Sequence, residues 1–310
     1  MIVELHAQTD IGRIRQGNED NFLLLDLATE RGCTGSDCSP PPDELRRFEA
    51  GPRGLVLVVS DGMGGALAGD VASRMAVENV RDVLLDDGED GQADELSGLP
   101  LVERLYEATG HANNEIHRKS MDDPRCSGMG ATLTGAAVNG ETLDLVQVGD
   151  SRAYLLRGAR IKLATKDQSL VQQLVDVGQI TQEDAETHMF RNVILQALGA
   201  QRDLTPVVTR VRLRRGDIAL LCSDGLSGKM RAEEMHETVT RAGGDLAAAC
   251  AQLVELANSR GGEDNITVVL ARFDGDGLAA LDTDEIEIEQ LDTDEDTTLD
   301  GEEHDTSPLP

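Results

Sequence analysis

Apolar runs that end on an aspartate and turn at once on glycine punctuate this chain. The clearest is Val58-Val59-Ser60-Asp61-Gly62-Met63-Gly64-Gly65, and it returns as Leu220-Leu221-Cys222-Ser223-Asp224-Gly225. Variants stand at Val148-Gly149-Asp150-Ser151, at Glu263-Asp264-Asn265 ahead of Ile266, and at Asn18-Glu19-Asp20 ahead of Phe22 to Leu25. β-Branched residues followed directly by glycine read as buried strands. Glycine then lets the backbone turn tightly and approach a neighbour. A single Asp-Gly is ordinary turn chemistry. Five acidic positions at strand edges are hard to explain as five independent turns. A strand that delivers an Asp to a glycine turn offers a carboxylate and a peptide carbonyl to a hard cation.

The 310 residues suffice for one large domain or two small ones. Lys and Arg number 28 against 58 Asp and Glu, for a net charge of −30. Such a balance disfavours nucleic acid and anionic membrane surfaces as partners. No apolar run approaches the roughly 20 residues that span a bilayer, and the N-terminus lacks the pattern of a secretory signal. A cytoplasmic location is the expectation. Five scattered cysteines argue against a disulfide framework. Cys33 and Cys38 lie close enough to pair or sense redox but read first as unpaired loop thiols, and Cys222 and Cys250 read as core residues. With no Trp and little aromatic content, the core must come from Val, Leu, Ile and Ala.

Strands are expected at Ile2 to Ala7, Phe22 to Asp26, Leu55 to Val59, Ala131 to Val138, Leu143 to Val148, Ala153 to Leu156, Val207 to Leu213, Ile218 to Cys222 and Ile266 to Phe273. Asn139-Gly140 marks a hairpin. Helical periodicity covers Gly69 to Leu85, Leu101 to Arg118 and Asp245 to Asn258, with short helices at Ser169 to Val177 and Gln182 to Thr187. Long helices without regular βα alternation predict an α+β fold in layers. Residues 28–53 read as an inserted surface loop, and Asp86 to Gly98 as an acidic connection. From Asp274 to Pro310 there is no Lys or Arg, and Leu281-Asp282-Thr283-Asp284-Glu285 is repeated at Leu291-Asp292-Thr293-Asp294-Glu295. The expected division is therefore a domain over 1–273 and a disordered acidic tail over 274–310.

Carboxylates and backbone carbonyls are oxygen donors suited to Mg²⁺ or Mn²⁺. The six histidines do not cluster with the acidic motifs, so zinc is not expected. Two adjacent divalent ions can lower the pKa of a shared water and polarise a phosphoryl group. Arg15, four residues before Glu19, can grip two phosphate oxygens with its planar fork, and Arg13 is a neighbour able to substitute. The thiolate phosphatase loop, the Walker loop, the Rossmann glycines and the Gly-x-Ser-x-Gly elbow are all missing from the sequence.

Taken in order, Arg15-x-x-Asn18-Glu19-Asp20, Asp61-Gly62-Met63-Gly64-Gly65, Gly149-Asp150-Ser151-Arg152, Ser223-Asp224-Gly225-Leu226 and Gly261-Gly262-Glu263-Asp264-Asn265 resemble the metal-dependent Ser/Thr phosphatases of the protein phosphatase 2C-like (PPM) family, bacterial branch. The resemblance covers about the first 270 residues and implies a four-layer α-β-β-α sandwich of two antiparallel sheets with the metals at one end. It implies that Asp61 bridges two Mn²⁺ or Mg²⁺ ions with the Gly62 carbonyl on one of them. Asp224 and Asp264 would hold one ion, Glu19 would help hold the other, and Asp20 would order the water shell. Arg15 would bind the substrate phosphate, Asp150 with Asp224 would form a third metal site, and Asn265 would support Asp264. Met63 stands where eukaryotic members carry His. Ala66, Asp70 and Gln168 also depart from common family residues, but no metal-ligand position is lost. The implied activity is hydrolysis of phosphoserine and phosphothreonine by metal-activated water. Its partners would be phosphoproteins, including the Ser/Thr kinases it opposes, and it would act as a monomer. The alternative is a catalytically silent phosphoprotein-binding module.

Overall fold

The computed structural model describes residues 1–38, 40–64, 68–86, 96 and 98–291. Gly65, Ala66, most of the acidic connection and the second Asp-Thr-Asp-Glu repeat lie outside the described residues.

Two antiparallel sheets stack face to face. The first runs β10 (Arg160–Leu163), β9 (Arg152–Arg157), β12 (Ile218–Cys222), β13 (Ile266–Asp274), β1 (Ile2–Asp10) and β4 (Arg47–Glu49). The second runs β14 (Glu289–Leu291), β11 (Val207–Arg212), β8 (Thr142–Val148), β7 (Leu133–Asn139), β5 (Leu55–Met63), β2 (Asp20–Asp26) and β3 (Arg31–Thr34), with β6 (Gly130–Ala131) on the end of β5. Side chains alternate faces along a strand, and here both faces are buried. Phe22, Leu24, Leu57, Val59, Leu221, Val269 and Phe273 fill the space between the sheets. Leu23, Leu25, Val56 and Val58 point the other way, under α2 (Ala68–Leu85) and α3 (Leu101–Asp122). Leu220, Cys222, Val268 and Leu270 meet α7 (Ala232–Arg241) and α8 (Leu246–Ser259) on the opposite outer face. Strands buried on both sides read as continuous apolar runs, which is why Leu55 to Val59 shows no polar alternation. The four layers expected from the family resemblance are therefore present.

Three departures from the sequence reading bear most on the fold. Residues 28–53 are more than a surface loop: β3 and β4 each edge a different sheet, and α1 (Asp43–Arg46) buries Leu45 between them. Cys33 and Cys38 are joined as a disulfide rather than free, because the turn after β3 brings them together across five residues. Among the described residues, the chain from Asp274 to Leu291 stays on the body. Leu278 and Ile286 are buried in the core between the sheets, and β14 pairs with β11. Arg157, itself bound to Asp217 at 2.7 Å, donates to the Glu285 carbonyl at 2.7 Å, and Lys162 donates to the Ile286 carbonyl at 2.9 Å. Two well-spaced apolar residues anchor an otherwise acidic segment that composition alone marks as tail.

Candidate metal centre

The acidic motifs converge because each sits at the same end of the sandwich. Asp61 lies near the end of β5, directly across from Asp20 at the start of β2. Asp224 opens the short helix α6 (Asp224–Ser227) straight after β12. Asp264 precedes β13, and Asp150 occupies the turn from β8 to β9. Arg15, Glu19, Asp61, Gly62, Asp150, Asp224 and Asp264 line one cleft of about 370 Å³. Arg13 is turned away toward Glu255 at 3.6 Å and does not take the neighbouring role that the sequence allowed it.

Glycines make the approach possible. A Cβ at Gly62 would stand 2.1 Å from the Gly69 carbonyl oxygen and 2.7 Å from that of Glu19. The Gly62 N–H donates to the Glu19 carbonyl at 3.0 Å, which ties the two acidic motifs together. A Cβ at Gly225 would meet the Asn265 carbonyl oxygen at 1.9 Å, so α6 and the Asp264 loop also touch through backbone.

Buried hydroxyls and amides hold the acids in place. Asp20 Oδ2 accepts from Ser223 Oγ and Thr267 Oγ1, both at 2.7 Å. The Asp61 N–H donates to Thr132 Oγ1 at 3.0 Å, and Thr132 in turn shares a 2.7 Å hydrogen bond with Ser151. Asn265 Oδ1 accepts from the Glu19 N–H at 2.8 Å, while its Nδ2 donates to the carbonyls of Ile11 and Gly17 at 2.9 and 3.0 Å. Its side chain thus fixes the loop carrying Arg15 and Glu19, and its main-chain N–H donates to Asp264 Oδ1 at 2.9 Å. Thr132 and Thr267 carried no sequence signal, since buried threonines are common in strands; only their register beside an acid marks them. Arg15 Nη2 donates to Asp264 at 2.8 Å, and its Nη1 lies 3.6 Å from Glu19.

Burial and mutual repulsion make these acids reluctant to ionise. Burial first, then the carboxylates of Asp20, Asp224, Asp264 and Asp150, push Asp61 well above the ordinary carboxylate range. Burial raises Asp20 to about 7 despite its two hydroxyl donors. Asp150 is also raised to about 7, by burial and then by Asp224. Asp224 and Glu19 are raised chiefly by burial as well. Buried oxygens Asp20 Oδ1 and Asp224 Oδ1 have no hydrogen-bond partner among the described residues. Orphaned anionic oxygens in a crowded acidic cleft call for positive charge, and an all-oxygen donor set suits Mn²⁺ or Mg²⁺. Among the described residues no three of the acids close into a cage. An open cleft suits cations that keep part of their water shell.

Fold and site together give a candidate centre for divalent cations at one end of a layered sandwich. Residues 38–270 match the family described as Protein phosphatase 2C. The chain is similar to the serine/threonine phosphatase stp of Listeria monocytogenes serotype 4b, with 35% identity over 272 residues, 87% of this chain and 96% of that protein. It is equally similar to the serine/threonine protein phosphatase PstP of Mycobacterium tuberculosis, 35% identical over 271 residues, but spans only 45% of that protein's length. The crystal structure of the PstP catalytic domain in complex with two manganese ions superposes with a TM-score of 0.68 at 33% identity, covering 88% of this chain and 99% of that one. This chain belongs to the protein phosphatase 2C family.

Proposed function

We propose that the protein is a metal-dependent serine/threonine protein phosphatase. The observation that carries this reading is the cleft in which Glu19, Asp61, Gly62, Asp150, Asp224 and Asp264 face one another below Arg15. In this reading Asp61 and the Gly62 carbonyl would help hold two ions. Asp224 and Asp264 hold one ion, Glu19 the other, and Asp150 with Asp224 a third. Bound there, Mn²⁺ or Mg²⁺ supplies an acidified water and neutralises charge on the phosphoryl oxygens. Asp20, held by Ser223 and Thr267, would order the water shell of the ions. Arg15 leaves its ion pair with Asp264 to grip the phosphate with two N–H groups.

The substrates are phosphoserine and phosphothreonine proteins, Ser/Thr kinases among them, and the protein works on them as a monomer in the cytoplasm. Among the described residues no helix is long and apolar enough to cross a membrane. Every ligand position carries an oxygen donor, which argues against a silent binding module. Asp224→Ala tests the reading: it removes an acid proposed for two ions. Mn²⁺ binding measured by calorimetry should weaken and phosphopeptide turnover should be lost. Unchanged turnover in that variant would sink the assignment.

A further inference from the structure

The segment between Gln168 and Thr205 begins and ends at Gln168, with one further anchor where Leu198 pairs with Ala131 and Gly199 bonds to Asn113. It carries α4 (Leu170–Asp176) and α5 (Gln182–Thr187), and its Asn192 and Ile194 reach the metal cleft. Gln168 stands where it begins and uses every polar group it has. Its N–H donates to the Gly149 carbonyl at 2.8 Å, and its Oε1 accepts from the Gly149 N–H at 3.0 Å. Its carbonyl accepts from the Leu195 N–H at 2.8 Å, and its Nε2 donates to the Thr205 carbonyl at 2.9 Å. Entry, return and exit of the segment therefore meet on one residue, and that residue grips Gly149 from both sides.

Gly149 is the residue before Asp150. Its φ of +93° suits glycine, and a Cβ there would stand 2.7 Å from Thr132 Cγ2. Gln147 Nε2 donates to the Gly149 carbonyl at 3.1 Å and to that of Ser151 at 2.7 Å. The Asp150 turn is thus backed on the inside by Thr132, the support of Asp61, and clasped on the outside by Gln168. A primary amide combines one acceptor and two donors in a single plane. Here the acceptor faces Gly149 and a donor faces Thr205. Sequence reading noticed Gln168 only as a departure from the family; the structure gives it a task.

We propose that Gln168 is a positioning residue that couples the 169–205 segment to a cation held at Asp150. This rests on the reading of Asp150 as a metal ligand. A cation at Asp150 steadies the turn, the steadied turn holds Gln168, and Gln168 holds both ends of the segment. By reciprocity, closure of the segment tightens the hold on that cation. Groups that orient a ligand from behind typically change metal affinity by about tenfold or more when removed.

The test uses the full chain and Mn²⁺. Backbone hydrogen exchange is followed with and without Mn²⁺ in the wild type and in Gln168→Met, which keeps the length of the side chain and loses both hydrogen bonds. Calorimetry counts the Mn²⁺ sites, with Asp150→Asn marking the one that depends on Asp150. Mn²⁺ should slow exchange across 169–195 in the wild type and fail to do so in Gln168→Met. The Asp150-dependent affinity should fall about tenfold in that variant. Combining it with Asp150→Asn should give no further loss. If the methionine chain does not fold, Gln168→Ser, which lets water reach Gly149 and Thr205, should show the same uncoupling. A Mn²⁺ response in the variant equal to that of the wild type would overturn the coupling, as would a wild type that binds Mn²⁺ without any change in exchange. A wild type with no Asp150-dependent binding would overturn the ligand reading beneath it, and the coupling with it.

Discussion

Gly62 carries as much of the site as any acid does. With the Gly69 carbonyl 2.1 Å from where a Cβ would stand, Gly62→Ala must push α2 away from β5. Overpacking of that kind costs about 1–3 kcal/mol, and the same displacement carries Glu19 away from Asp61. Thermal unfolding should show a lowered midpoint and a smaller gain on adding Mn²⁺; a midpoint equal to that of the wild type would contradict the close packing. Asp20 gives a second prediction. It titrates near 7 when folded against 3.8 ordinarily. Between those values the unfolded chain has lost the proton that the folded chain keeps. The unfolded state binds fewer protons there, so this group's contribution to stability falls as pH rises toward 7. In chelator, Asp20→Asn should therefore gain in unfolding midpoint relative to the wild type between pH 5 and 7.5. A difference independent of pH would show that Asp20 is not held protonated.

Among elements, the double-sided strands decide the architecture. Leu57 on β5 is fully buried between the sheets. Leu57→Ala should cost about 2–5 kcal/mol in denaturant unfolding, while the Mn²⁺ sites at the strand end survive in whatever fraction stays folded. These strands were legible because a strand covered on both faces must be apolar throughout. The acids were legible because each stands at the edge of such a run, Asp61, Asp150 and Asp224 directly beside a glycine. What escaped the sequence had weaker signals. Strand β4 has three residues, and β14 lies in an acidic stretch marked by a few spaced apolar residues, Leu278 and Ile286 the most buried. The supports Thr132 and Thr267 look like any strand threonine until the register sets them beside Asp61 and Asp20. Asn265 was assigned to Asp264, and its main-chain N–H does bond that acid; its side chain serves the Glu19 loop, 246 residues away in sequence. Contacts of such range are not visible in local pattern.

On the scale of the whole molecule, the segment from Gly275 to Leu291 closes the sandwich. It starts at the end of β13 in one sheet and finishes as β14, the edge strand of the other, paired with β11. A chain ending at Leu291 keeps this segment and is the reference for a chain ending at Phe273. Removing everything after Phe273 exposes the core that Leu278 and Ile286 cover, and strips two partners from the buried Arg157 region. That shorter chain should unfold several degrees lower, because a loss of about 1 kcal/mol shifts the midpoint of a domain this size by about 2–4 °C. Equal midpoints for the two truncations would remove the segment from the folded unit.

The acids at one end of the sandwich matter to function only if the cations they attract turn over a phosphate ester. The most direct measurement is phosphate release from a phosphothreonine peptide by the full chain with Mn²⁺, with chelator, and with Mn²⁺ in the Asp61→Ala variant. The account predicts turnover that requires Mn²⁺ and vanishes in chelator and in Asp61→Ala. Turnover that persists in chelator or in the variant, or its absence from a wild type that binds Mn²⁺, would contradict it.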